Sequence, residues 1–136
     1  MTSVFTKIIN GEIPSYKIAE NEEFYAFLDI FPLSKGHTLV VPKKETYYIF
    51  DIEDNEYERL FLFAKKVAKA IEKIIPCQKV GLTIIGLEVR HAHIHLIPIN
   101  TIYDMDFKQP KLKLSNEEFQ LIADNISKEY EIIKGY

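Results

Sequence analysis

The stretch KVGLTIIGLEVRHAHIHLIPI, residues 79–99, consists of two strand-like runs separated at Gly86 and predicts a β-hairpin. It also contains His91, His93 and His95, three of the four histidines in the chain. Side chains alternate across a strand, so this spacing predicts three imidazoles on one face, about 6–7 Å apart from one to the next. Ala92, Ile94, Leu96 and the approach to Pro98 fall on the opposite face and read as core.

Outward from this hairpin, the other segments declare themselves by period and punctuation. Upstream, VFTKIINGEIP (4–14) predicts a short helix closed by the Asn10-Gly11 turn. Residues 16–20 and 24–29, split by the polar run at 20–23, predict a second hairpin. HTLVVP (37–42), bounded by Gly36 and Pro42, predicts a buried strand. From about 53 to 75 the period becomes helical, with Leu60, Ala64, Val67, Ala68, Ile71 and Ile75 on one face and Pro76 as the stop. Downstream, residues 100–114 read as irregular. Ser115 with Glu118 is a capping-box signature ahead of a stripe made by Phe119, Ile122, Ala123, Ile126 and Tyr130. Clustered strands with separate helices indicate an α+β fold with a mainly antiparallel sheet.

At 136 residues, the chain is long enough to bury a core without staples, and no repeat or linker composition divides it. A formal charge of -3 gives no reason to expect nucleic-acid or anionic-membrane binding. A single cysteine, Cys77, excludes an internal disulfide and fits a reducing compartment. With no signal-peptide pattern at the start and no long apolar run, a cytoplasmic location is the expectation.

Three histidines in register are hard to explain as filler, because neighbouring imidazoles repel when charged and are desolvated when buried. Two chemistries suit them. His-x-His on a strand can offer two nitrogens to a metal, with a third ligand completing a zinc site. Alternatively, a neutral imidazole can attack phosphorus while its neighbours fix its tautomer and hold phosphate oxygens. His37, at the start of another strand, could join either arrangement.

HAHIHLI (91–97) resembles the histidine-triad motif, in which three histidines alternate with apolar residues. FTKIINGEIPSYKIAENEEFYAFLDIFPLSKGHTLVVPKK (5–44) is similar to the N-terminal half of the same family, and the likeness covers about residues 3–100. On this resemblance the sequence is identified as a member of the histidine-triad (HIT) family, of the bacterial Hint-like kind. The resemblance implies one HIT domain over residues 1–136, with its core at about 3–100 and an extension from 104 to 136. The implied fold is a five-stranded, mainly antiparallel sheet with one long helix packed on it, a short N-terminal helix and a C-terminal helix.

The resemblance also implies roles. His93 matches the nucleophile that forms a covalent nucleotidyl-histidine at the α-phosphorus. His91 matches the histidine that orients the site, His95 the one that contacts phosphate oxygens, and His37 a supporting histidine. Asp29 matches the acceptor of the ribose hydroxyls, and Phe5, Ile8, Phe27 and Ile30 match the pocket for a purine base. Members with a structural zinc carry a Cys-x-x-Cys and a histidine where this chain has Ser3, Thr6 and Glu45, so no zinc is expected, nor any other metal or cofactor. The loop before the triad is about seven residues shorter than is usual, and Leu87 replaces a glutamine. The expected activity is hydrolysis of nucleoside phosphoramidates or related purine nucleotide conjugates. Diadenosine polyphosphate hydrolysis, or nucleotide binding with little turnover, stands as the alternative. A homodimer is expected, with the helix at 53–75, and Phe61 and Phe63 in particular, available to the partner.

Overall fold

A computed structural model describes residues 2–135. Helix α1 (Val4–Ile9) starts at Ser3, whose hydroxyl accepts from the Thr6 N–H and so caps it. Then come β1 (Lys17–Glu20), β2 (Phe24–Leu28), β3 (Thr38–Pro42) and, past a 3-10 turn, the long helix α2 (Asp54–Ile74). Strands β4 (Lys79–Thr83) and β5 (Ile94–Ile99), a 3-10 turn at Ile102–Met105 and helix α3 (Asn116–Ile133) complete the chain. All neighbouring strands are antiparallel, in the order β1-β2-β3-β5-β4. The expected α+β architecture is the one observed.

Both faces of the central strands are covered. One face carries Ile18, Phe24, Ala26, Leu28, Val40, Ile94 and Leu96, and packs on α2 and α3. Helix α2 contributes Leu60, Phe63, Ala64, Val67, Ala70 and Ile71. Burying each of the larger of these side chains is worth about 1.5–3 kcal/mol, which makes this layer the main source of stability. The other face carries Tyr25, Phe27, Leu39 and Val41, with Phe5 of α1 packed over them. The histidines project on that second face.

Three expectations are corrected. Strands β4 and β5 do pair, with Thr83 opposite His95, but the hairpin does not turn tightly at Gly86. Residues 84–93 form a loop, Gly86 adopts a φ of 72° within it, and β5 begins only at Ile94. His95 is thus a strand residue, while His91 and His93 precede the strand. The cause lies in β3. Backbone bonds of His37 with Asp29 and of Lys43 with Glu23, the residues flanking β2, turn Pro42 toward β5. Proline has no N–H to offer the ladder. The Pro42 carbonyl is taken by the His91 ring at 2.7 Å, and the Ala92 N–H bonds instead to Thr46.

Second, Phe63 is an internal residue, packed on Phe24 and Tyr130, and is not available to a partner. Phe61 stacks near Tyr57 on the outer side of α2. Third, residues 100–114 include the 3-10 turn at Ile102–Met105, closed by a capping box between Thr101 and Asp104. It fits against β4 because Gly81 has no side chain: a Cβ there would collide with the Met105 sulfur. No described helix is long and apolar enough to cross a membrane.

Candidate active site

Hydrogen bonds fix the tautomer of every histidine in the chain. The His91 ring donates from Nε2 to the Pro42 carbonyl at 2.7 Å, so its Nδ1 is an acceptor, and the Ser3 hydroxyl lies 2.6 Å from it. The His91 backbone carbonyl accepts from His93 Nδ1 at 2.8 Å. His93 therefore holds its proton on Nδ1 and presents a bare lone pair on Nε2. The Leu33 N–H donates to His37 Nδ1 at 3.0 Å, which puts the His37 proton on Nε2. That proton is donated to His95 Nδ1, also at 3.0 Å, and leaves His95 with its own proton on Nε2.

Among the described residues no buried side-chain nitrogen or oxygen lacks a partner. No protein partner engages His93 Nε2 or His95 Nε2 there, so both atoms open to solvent. One offers a lone pair and the other an N–H. The two rings lie edge to face with centroids 4.9 Å apart, closer than the backbone spacing alone would place them. A phosphate lying across them would meet a nucleophile at phosphorus and a donor at oxygen.

Burial keeps the cluster neutral. It drives His37 down to about 3, helped by the charge His95 would carry and by Lys111. It drives His95 down to about 4, helped by His93. His91 and His93 are lowered for the same first reason, each opposed by the carbonyl that accepts its N–H. A neutral His93 is a nucleophile, whereas a protonated one is not.

Asp29 follows β2. One carboxylate oxygen accepts the Phe31 N–H at 2.8 Å, and the other lies 3.6 Å from His37 Nε2. Since His37 is neutral, this is not an ion pair at ordinary pH. Burial pushes the Asp29 carboxyl upward, with the Phe31 N–H and the Lys111 charge working against it. Phe5, Phe27 and half-buried Ile8 come together in the apolar cluster beside the triad. The Phe5 ring sits edge to face on both His91 and His93, at 5.7 and 5.0 Å. Ile30 stands outside that cluster and is 55% exposed.

Metal ligation is narrower than the motif suggests. Both ring nitrogens of His91 are engaged by Pro42 and Ser3, so the three triad histidines do not converge. Among the described residues, the group with metal-binding geometry is Asp29, His37 and His95, whose donor atoms lie within 4.8 Å of one another. Two of those atoms are already joined in the His37–His95 hydrogen bond. The N-terminal position does not fit a zinc either. Ser3, Thr6 and Glu45 do come together beside His91, but as hydroxyls and a carboxylate bonded to each other.

Some residues reach the site that the sequence reading did not single out. Phe107 packs edge to face on His95 at 4.9 Å and on His37 at 6.3 Å. Its carbonyl and that of Gln109 hold the Lys111 ammonium, and the next residue, Leu112, bonds to the Pro32 carbonyl. The downstream extension is therefore part of the wall. Glu88, next to exposed Leu87, acts electrostatically on both His93 and Asp29. Nothing local marked Phe107 and Lys111, because each arrives by a long-range contact.

Comparison with known proteins points the same way as the geometry. An adenosine 5'-monophosphoramidase of Schizosaccharomyces pombe is 38% identical over 130 residues, covering 93% of this chain and 97% of its own. An uncharacterized HIT-like protein of Borreliella burgdorferi is 39% identical over 132 residues, covering 91% and 95%. The crystal structure of a histidine triad nucleotide-binding protein described as hypothetical, from Sulfolobus tokodaii, superposes with a TM-score of 0.81 at 29% identity, covering 96% of this chain and 93% of that one. The family model for the HIT domain matches residues 10–102, which span the sheet, α2 and all four histidines, and the chain belongs to the HIT family.

Proposed function

We propose that the protein hydrolyses purine nucleotide conjugates of the nucleoside phosphoramidate type through a covalent nucleotidyl-His93 intermediate. The observation that carries this reading is the bond from His93 Nδ1–H to the His91 carbonyl, which leaves the Nε2 lone pair free and reached by solvent. In the first step, Nε2 attacks the α-phosphorus. The Nε2–P bond forms, the P–N bond to the amine breaks, and the amine leaves with a proton from water. Positive charge developing on the ring is met by the His91 carbonyl, while His95 Nε2–H donates to a phosphate oxygen. The hydroxide left by that water then attacks phosphorus, the Nε2–P bond breaks with its electrons returning to the neutral imidazole, and nucleoside monophosphate departs. Asp29 accepts from the ribose hydroxyls. Ile8 and Ile30 flank the base, over a floor made by Phe5 and Phe27. No metal enters these steps.

The test is turnover of a panel of nucleotide conjugates, with products identified by mass, by wild type and His93→Ala. Release of monophosphate by wild type, an acid-labile and base-stable label on the protein quenched during turnover, and loss of both in His93→Ala are expected. Nucleotide affinity should stay within about tenfold in the variant, because the pocket and Asp29 remain. Turnover surviving in His93→Ala would refute the assignment. A second reading, diadenosine polyphosphate hydrolysis or binding with little turnover, is favoured by Leu87, which is 85% exposed and offers no hydrogen bond to a leaving group. Tight binding without release of monophosphate would select the binding form of it.

The same reading includes a homodimer. Strand β4 is a sheet edge, and the opposite edge strand, β1, contacts α3. Beside β4, the residues Phe61, Leu62, Val80 and Leu82 line an apolar surface groove. Leu62 and Leu82 are 60% and 46% exposed, a patch of the kind that a second copy covers.

A further inference from the structure

Glu45 lies just past β3 and Ser3 just before α1, 42 residues apart, yet the Ser3 N–H donates to the Glu45 carboxylate at 2.6 Å. The Thr6 hydroxyl donates to the same oxygen at 2.7 Å. One carboxylate oxygen thus pins both ends of the first turn of α1. That turn holds the Ser3 hydroxyl, which accepts the Thr6 N–H at 3.0 Å and lies 2.6 Å from His91 Nδ1. Since His91 Nε2 is the protonated nitrogen, Nδ1 can only accept, and the Ser3 O–H has to be the donor. The Ser3 hydroxyl also lies 3.3 Å from the Thr6 hydroxyl, but the shorter contact and the bare Nδ1 direct its proton to His91, while the Thr6 proton goes to Glu45.

His91 is completely buried, and its ring is held at both nitrogens. Its carbonyl is in turn the acceptor that sets the tautomer of His93. The same turn of α1 also carries Phe5, whose ring abuts His93. We propose that Glu45, Thr6 and Ser3 are positioning residues, a hydrogen-bonded clamp that locks His91 and, through its carbonyl, aims the His93 lone pair. They occupy the places where the resemblance puts metal ligands in zinc-holding members, and they do the orienting by proton donation instead. This inference rests on His93 being the nucleophile for its kinetic consequence, but not for its structural one.

A pair of variants at Ser3 separates the clamp from simple helix capping. Ser3→Thr keeps a hydroxyl donor. Ser3→Gly loses it, while glycine at an N-cap costs only a few tenths of a kcal/mol. Ser3→Gly should lower kcat by about 10- to 100-fold with KM within about twofold, as a small misplacement of a reacting group does. Ser3→Thr should stay within about threefold of wild type, by the same argument. Glu45→Gln, which keeps an acceptor but not the charge, should fall between them. Independently of any substrate, the nitrogen-15 resonance of unprotonated His91 Nδ1 should move in Ser3→Gly and hold in Ser3→Thr. Equal kcat values for the two Ser3 variants would overturn the kinetic claim. An Nδ1 resonance unchanged in Ser3→Gly would overturn the clamp itself, whatever the enzyme's substrate.

Discussion

Lowering the pH from 7 to 5 should destabilise the fold by several kcal/mol through two side chains. In the unfolded chain, His37 and His95 take up protons near 6.5. In the folded protein, they resist until about 3 and about 4 respectively, because both are buried and share one hydrogen bond. Between those values the unfolded state binds more protons, so stability is full above about pH 6.5 and drains away as pH falls. For one such group the loss between pH 7 and 5 is about 2 kcal/mol, and for the pair about 4 kcal/mol. His91 and His93 shift in the same direction and add to the loss. Asp29, pushed upward by burial, works against it. Urea unfolding at the two pH values measures the difference, and His37→Asn should remove about 2 kcal/mol of it. Equal unfolding free energies at pH 7 and 5, or an unchanged pH slope in His37→Asn, would refute the reasoning.

The remaining predictions concern the ligand, the metal and the partner. Asp29→Ala should weaken ribonucleotides about ten- to a hundredfold while leaving deoxyribonucleotides much less affected, since a charge-assisted bond is worth roughly 1.5–3 kcal/mol. Parallel titrations of the two sugars check it, and equal losses would place Asp29 outside ribose recognition. Hydrolysis and melting temperature should both survive exhaustive chelation, because one ring nitrogen of His37 and one of His95 in the Asp29–His37–His95 group are already joined to each other. Activity lost to chelator and restored by one equivalent of zinc would reverse that. Leu62→Lys should convert a dimer to a monomer in light scattering, and a wild-type monomer would rule out the interface at α2 and β4.

Much of this architecture was legible in the sequence because it rests on periodicity and caps. The helical stripe at 53–75 became α2 at 54–74, and Ser115 with Glu118 forms the capping box of α3. The alternation of His91, His93 and His95 against Ala92, Ile94 and Leu96 also holds, with the second set in the main core. What alternation cannot report is whether the backbone is paired. A proline on a neighbouring strand ended the ladder at Ile94, and a tight hairpin became a ten-residue loop. Phe63 belongs to the same class of error: off the main stripe of α2, it is still wide of solvent because α3 covers that side. The clamp at Glu45 was visible only as missing metal ligands, and that hydroxyls fill the role depends on distances across 42 and 88 residues. Phe107 and Lys111 were unreadable for the same reason.

Four imidazoles gathered in one cluster would suggest a positively charged trap for phosphate, but burial keeps them uncharged. Each ring is neutral near pH 7, the charges close by are the Asp29 and Glu88 carboxylates and the single Lys111 ammonium, and the whole chain carries a formal charge of -3. An anionic nucleotide approaching this surface gains little from long-range attraction and must be caught by short contacts after it arrives. Its capture should be slow by the standards of steered encounters and nearly indifferent to ionic strength, since there is little field for salt to screen. On the proposed mechanism, the arrangement trades speed of arrival for a nucleophile that is ready when the substrate is seated.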